Sequence, residues 1–338
     1  MQIVPLSAEL SLSVARFLAA QRRQEAENSA LYWISADVEE RLHGWLCNTL
    51  NDPDEQVWVA LDNGRVAGAL GGRSKTLSEK DTRRTYLPVN YSVIPLGLMG
   101  IEAGRWPEIL PLLWERFKPW FMEQESVKPQ VWLPSQHLEA IASWEKLGFS
   151  WLLDSAIRPL KLEEYTRASS PPGLQIRQAT RRDTPKILPL LLEQLKFHSN
   201  LPGDYWVDPS RDLVPLVRRE IELFLNAGTD FTYLLAERIS DGQLLGYMSA
   251  TVAQPSLDNI NAIFFPPGRG ILQVAIVTAE ARGQGIGKAL LSNLYNWFLR
   301  HGTNSISLSY DVRNPLSGPF WRAHNFVPVR RAMTTTLS

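Results

Sequence analysis

The chain has 338 residues, enough for two domains of ordinary size. Apolar residues make up 44% and charged residues 21%, the balance of a globular protein with material for two cores. Thirty-five Lys and Arg offset 35 Asp and Glu, so net charge gives no case for nucleic acid or an anionic membrane as partner. The single cysteine, Cys47, excludes an intrachain disulfide and a zinc site built from several cysteines. It fits a reducing cytoplasm, the expected location, and within "RLHGWLCNTL" it reads as a packing residue. The opening "MQIVPLSAELSLSVARFL" lacks a basic segment followed by a long apolar run. No secretory signal is expected, and no run of ~18 apolar residues suggests a membrane span.

A seam at Arg167–Gly173, "RASSPPG", interrupts otherwise patterned sequence. It divides the chain into expected domains at 1–166 and 174–338, with 167–173 as linker. The halves repeat each other in order. "QIVPLSAELSLSVARFL" from Gln2 parallels "QIRQATRRDTPKILPLL" from Gln175. "VWVALDNGRVAGAL" from Val57 and "TYLLAERISDGQLLGYM" from Thr232 each read as a hairpin turning at Asn63-Gly64 or Asp241-Gly242. "SWEKLGFSWL" from Ser143 parallels "FWRAHNFVPV" from Phe320, aligning Trp144 with Trp321. The repeat predicts a duplicated α/β domain running β, helices, β-hairpin, β, helix, β, helix, β.

Charge runs between these elements read as solvent-facing. "SEKDTRR" from Ser78 is a polar loop, "RRDTPK" from Arg181 a helix start, and "VRREIE" from Val217 a solvated helix face. In the second half, "ILQVAIV" at Ile271–Val277 predicts a buried strand. From Ile286, apolar residues recur at Leu290, Leu294, Trp297 and Phe298, predicting a helix that Gly302 ends. Alternation over Ile306–Val312 predicts a strand. A short helix at Ser317–Ala323 and a last strand near Phe326–Val329 follow.

Between the first of these strands and its helix lies "EARGQGIGKALLSNL", with glycines at 283, 285 and 287. A strand, a bare turn and a helix start form an anion site. The first helical N–H groups lack internal partners, the helix dipole adds positive potential, and glycines admit phosphate oxygens without a Cβ in the way. Arg282 and Lys288 add charge at the loop's ends. A Walker loop is excluded because Ala289 follows Lys288, and the Rossmann spacing fails because Lys288 and Leu290 stand where a glycine is needed.

The stretch "ARGQGIGKALL" resembles the acyl-CoA loop of the GNAT N-acetyltransferase superfamily, R/Q-x-x-G-x-G/A, through Arg282, Gly285 and Gly287. "NPLSGPFW" resembles a second family motif through Asn314, Ser317, Phe320 and Trp321. The resemblance covers Leu174 to the C-terminus directly and the first half through the repeat. It implies an α/β fold of α+β GNAT type: two tandem copies of a mixed, splayed central sheet flanked by helices. It implies acetyl transfer from acetyl-CoA, without metal, to a primary amine by direct attack. The acceptor is a small-molecule amine or a protein amine, on a monomer or homodimer. A regulatory module that binds acyl-CoA without turnover is the other reading.

By the same resemblance, Arg282, Gly283, Gln284, Gly285, Ile286, Gly287, Lys288 and Ala289 surround the pyrophosphate. Val274, Ala275, Ile276 and Val277 hold the pantetheine arm where their strand splays from its neighbour. Asn314, Phe320 and Trp321 complete the cofactor site. Trp321 occupies the position where many relatives carry an acidic Tyr, so Tyr310 is the expected substitute. Gln273 is the polar group offered on the splayed strand. Acceptor candidates are His198, Tyr205, Trp206 and Phe264. In the first half, aligned through Trp144, Arg105 stands for Arg282, while Trp106, Glu108 and Leu110 replace the three glycines. That half is expected to have lost acyl-CoA binding.

Overall fold

The elements of the first half recur in order in the second, with two strands of the first together matched by one of the second. The first half runs β1 (Gln2–Pro5), α1 (Ala8–Glu27), α2 (Val38–Thr49), β2 (Glu55–Asp62), β3 (Arg65–Thr76), β4 (Asn90–Ile94), β5 (Met99–Ile101), α3 (Trp106–Glu123), β6 (Gln130–Pro134), α4 (Leu138–Lys146) and β7 (Ser150–Pro159). The second runs β8 (Leu174–Gln178), α5 (Thr184–Ser199), α6 (Val214–Leu225), β9 (Phe231–Arg238), β10 (Leu244–Val252), β11 (Gly270–Val277), α7 (Ile286–Arg300), β12 (Ser305–Asp311), α8 (Ser317–Ala323) and β13 (Val327–Thr334). The computed structural model describes all residues except 30, 127, 162, 164–169, 202–211, 254–263, 267 and 338.

The hairpin turns follow the expected chemistry. Asn63 and Gly64 both take positive φ, 51° and 79°, as a tight I′ turn between right-twisted strands requires. Gly242 does likewise at 68°. The β4–β5 segment shows a local difference between the halves. Pro95, which has no N–H to donate, follows Ile94, and the chain leaves β4 for a 3₁₀ turn at Leu96–Leu98 before β5 pairs with β3. Its counterpart β11 contains no proline and continues as one strand.

Both halves contribute to one 13-stranded mixed sheet, ordered β1-β2-β3-β4-β6-β13-β7-β12-β11-β10-β9-β8, with β5 beside β3. The final strands are exchanged. β13 lies between β6 and β7, and β7 pairs with β12. Burial follows the exchange: Met333 and Leu337 enter the core under α3, while Ala156 and Leu160 enter the core under α7. The opposite sheet face is covered by α1 and α2 in one half and by α5 and α6 in the other. Neither half completes its core without a strand from the other. Among the described residues, no helix is long and apolar enough to cross a membrane.

Candidate active site

The glycine turn forms as its sequence requires. Gly283 and Gly285 adopt φ of 77° and 78°, a left-handed conformation that costs an L-residue about 1–2 kcal/mol. Gly285 is the N-cap of α7, so the helix begins on the bare turn. A Cβ at either position would meet nothing within 4 Å. Their bareness therefore serves the turn and the space above it, not packing below. At Gly287 the reason differs, because a Cβ there would come 3.2 Å from the Phe320 ring. Arg282 and Lys288 are exposed beside the turn, and Arg282 Nε donates to the Val277 carbonyl at 3.2 Å.

The strand leading to this turn separates from its neighbour. β11 and β12 pair in parallel only at Gly270↔Ile306 and Ile271↔Ser307. From Leu272 onward β11 is paired on the β10 side alone. Its register to β10 skips Gln273, which bulges between the partners of Ser249 and Ala250. The open edge of β11 therefore presents backbone groups to a gap that leads to the N-terminus of α7. Gly246 on β10 lets the two strands approach, since a Cβ there would lie 2.5 Å from the Ile276 carbonyl oxygen.

A cleft of about 740 Å³ follows this gap. It brings together Gln273, Val274, Ala275, Ile276, Val277, Arg282, Gly283, Gly285, Ile286, Gly287 and Lys288, with Tyr310, Asn314, Phe320 and Trp321 along the other side. Gln284 and Ala289 are not among its lining. Gln284 points outward, its amide donating to the Glu280 carbonyl at 2.9 Å, and Ala289 is buried in the α7 core. Asn314 holds the turn before α8, its Oδ1 accepting the N–H of Leu316 at 2.9 Å. Trp321 is packed against Phe326 in the same core. Tyr310 lines the cleft, and its hydroxyl lies 3.5 Å from Asp154 Oδ2. Burial first, then the Asp154 charge, raises the phenol above its ordinary value, so it stays protonated.

His198 lines the far end of the cleft at the last turn of α5. Burial lowers its imidazole below the usual value despite the Asp311 charge, which keeps it neutral. Tyr205 and Trp206 lie outside the described residues. Phe264 corrects the expectation. It does not line the cleft but is 2% exposed in the core beneath α1 and α2, where the apolar ring fills space among Leu96, Leu98 and Trp132.

The cleft is also lined by residues that sequence reasoning missed. They are Tyr86, Leu87, Tyr91, Gln130, Trp132 and Leu153 of the first half and Leu190, Glu193, Gln194 and Phe197 of α5. The "SEKDTRR" run is correspondingly no simple polar loop. It leads into a 3₁₀ turn at Thr82–Thr85 that delivers Tyr86 to the cleft. No local pattern signals this, because the strand exchange sets the placement.

The corresponding place in the first half is built differently. Helix α3 starts at Trp106 with Arg105 as its N-cap, so by helix start Arg105 stands where Gly285 stands. Its guanidinium is held by Asp62, Glu102 and Glu108 at 2.8–3.0 Å. Glu139 of α4 accepts the N–H of Gly104 at 3.1 Å and of Trp106 at 3.4 Å. The chain's own carboxylate thus covers the N–H groups that the second half leaves open.

Among the described residues no group of three or more potential metal ligands occurs. Residues 198–326 match the model of the acetyltransferase (GNAT) family. No curated protein matches the sequence significantly. Solved structures extend the likeness over the whole chain. A GCN5-related N-acetyltransferase from Sphaerobacter thermophilus is 16% identical over 99% of this chain and 95% of its own, with a TM-score of 0.61. A tandem GNAT protein from the clavulanic acid biosynthesis pathway is 17% identical over 99% and 98%, with a TM-score of 0.52. Residues 198–326 thus match the acetyltransferase (GNAT) family, in a chain whose fold is similar from end to end to that of a tandem GNAT protein.

Proposed function

We propose that the protein transfers an acetyl group from acetyl-CoA to a small primary amine. The observation that carries this reading is the continuity of one cleft from the bare α7 N-terminus through the β11–β12 gap to an aromatic pocket. The turn suits a diphosphate: N–H groups at a helix start, two exposed cations and no Cβ in the way. The gap suits an extended arm that pairs with the free edge of β11 as an added strand would. Backbone N–H groups of Val274–Val277 then polarise the thioester carbonyl. The amine attacks that carbonyl directly, and the C–S bond breaks to release the thiol. Residues 174–338 supply the donor site, and His198 helps to hold the acceptor. The wall of Tyr86, Leu87, Tyr91 and Trp132 narrows the acceptor end, which favours a small amine over a protein side chain. Tyr310 is the proposed proton donor to the leaving sulfur, and the Tyr310→Phe variant tests that part separately.

Calorimetric titration of acetyl-CoA, beside the Gly285→Glu variant, tests the reading. One site per chain is expected, with affinity lost in the variant by about 100-fold or more, because the added carboxylate meets the diphosphate. A folded protein that fails to bind acetyl-CoA would refute it. Thiol release with a panel of primary amines then separates an acetyltransferase from a module that only binds.

A further inference from the structure

Helix α6 carries a carboxyl group that its sequence setting conceals. Glu220, in the run "VRREIE", is 6% exposed, so the expectation of a wholly solvated face fails at this residue. The covering comes from the other half of the chain. Tyr86 reaches across and its hydroxyl donates to Glu220 Oε1 at 2.9 Å. Tyr86 also lines the cleft and packs against the core that contains Val274 of β11. One side chain therefore both lines the cleft and hydrogen-bonds a buried carboxyl behind it.

We propose that Tyr86 and Glu220 form the proton-accepting pair of the acceptor site, Tyr86 touching the amine and Glu220 acting through it. This rests on the acetyltransferase reading above. An alkylamine arrives as an ammonium ion and must lose a proton before its nitrogen can attack. The ammonium proton passes to the Tyr86 oxygen as the Tyr86 proton passes to the Glu220 carboxylate, so no tyrosinate forms. After attack, Tyr310 gives its proton to the departing thiolate and takes the second nitrogen-bound proton in its place, and Glu220 returns its proton to solvent on product release. The surroundings tune the carboxyl for this part. Thr85 and Tyr86 face it from the first half, Tyr233 from β9 and Tyr247 from β10. Helix α5 contributes Ile187, Leu188, Leu191 and Leu195 to the same core. Burial is the largest influence and pushes Glu220 up to about 7, with the hydrogen bond from Tyr86 and the nearby Thr85 hydroxyl opposing it. A proton acceptor poised near the working pH is the most effective one.

The test uses the full chain, the Glu220→Gln and Tyr86→Phe variants, and two probe acceptors. Phenethylamine is protonated at neutral pH, whereas hydroxylamine is mostly unprotonated and needs no base. Glu220→Gln is expected to slow acetyl transfer to phenethylamine about 100-fold and to leave transfer to hydroxylamine within about threefold, with acetyl-CoA affinity unchanged. Tyr86→Phe should show the same split. Equal loss with both amines, or no loss with either, overturns the proposal. So does wild-type protein that binds acetyl-CoA but transfers to neither amine. Infrared difference spectra, wild type minus Glu220→Gln, supply a readout without turnover. The carboxyl band is expected to be half-ionised near pH 7, and a group almost fully ionised by about pH 6, as an ordinary Glu would be, overturns the pair. Failure of wild-type protein to bind acetyl-CoA would instead refute the acetyltransferase reading beneath it.

Discussion

Replacing Glu220 by Gln should make the protein more stable at alkaline pH. The carboxyl rises from an ordinary value of 4.5 to about 7 in the folded chain. Between those values the native state holds a proton that the unfolded state has released. Stability therefore falls as pH rises through this window, being fully present below about 4.5 and lost above about 7. A shift of that size corresponds to about 3 kcal/mol, at roughly 1.4 kcal/mol per pKa unit. Gln keeps the shape and an acceptor oxygen for the Tyr86 hydroxyl but carries no charge to bury. The 338 residues give an unfolding entropy of ~0.7 kcal/mol/K if the chain melts as one unit. Glu220→Gln should then match wild type near pH 5 and exceed its Tm by roughly 4–5 °C near pH 8. Differential scanning calorimetry of both proteins across that range measures it. Parallel curves, or a variant less stable at every pH, would refute the reasoning.

Gly285→Ala should lower Tm by roughly 2 °C, because φ of 78° strains any L-residue by about 1–2 kcal/mol and no contact is lost; an unchanged Tm would refute the strain. Asp154→Ala should cost about 3–5 kcal/mol in urea unfolding, since it leaves the buried Arg331 guanidinium, 3.1 Å from Asp154, without its partner. A loss under about 1 kcal/mol would show that stacking of Arg331 on Trp151 suffices alone. Glu139→Ala should cost about 1 kcal/mol by uncapping α3 while leaving acetyl-CoA stoichiometry unchanged in calorimetry. A second site would show that only Glu139 keeps the first half closed.

What was legible in the sequence is what local chemistry determines. The α7 start at Ile286, the α8 limits at Ser317 and Ala323, and the turn at Asn63-Gly64 each follow from residues within a few positions. The bare turn after β11 was legible for the same reason. The placement of Tyr86 and the burial of Glu220 were not. "VRREIE" has the charge pattern of a solvated face, and nothing within α6 reports that Tyr86, 134 positions earlier, covers one of its carboxylates. The register of the first half was also misleading. Alignment through Trp144 set Arg105 against Arg282, whereas the start of α3 sets it against Gly285. A shorter loop moved the helix start, which a gapless comparison does not register.

The exchange of β7 and β13 is reciprocal, so the difference between the two copies of the fold lies elsewhere. One residue from each half meets the other half differently. Phe264 of the second half is buried beside Leu96, Leu98 and Trp132, where β4 and β6 have separated, and its carbonyl accepts from Arg330 at 2.6 Å. An apolar ring with its backbone anchored by a buried cation is a plug. Tyr86 of the first half instead lines the cleft and ends in a hydroxyl that donates to Glu220. Opening Phe264 with alanine would therefore create a cavity in the first half, costing about 3–5 kcal/mol, but would not create a donor site. The α3 N-terminus would still be covered by Glu139 and lack the glycines that shape the α7 turn. The first half thus has both a covered helix start and a filled gap, and residues of the first half line the cleft of the second.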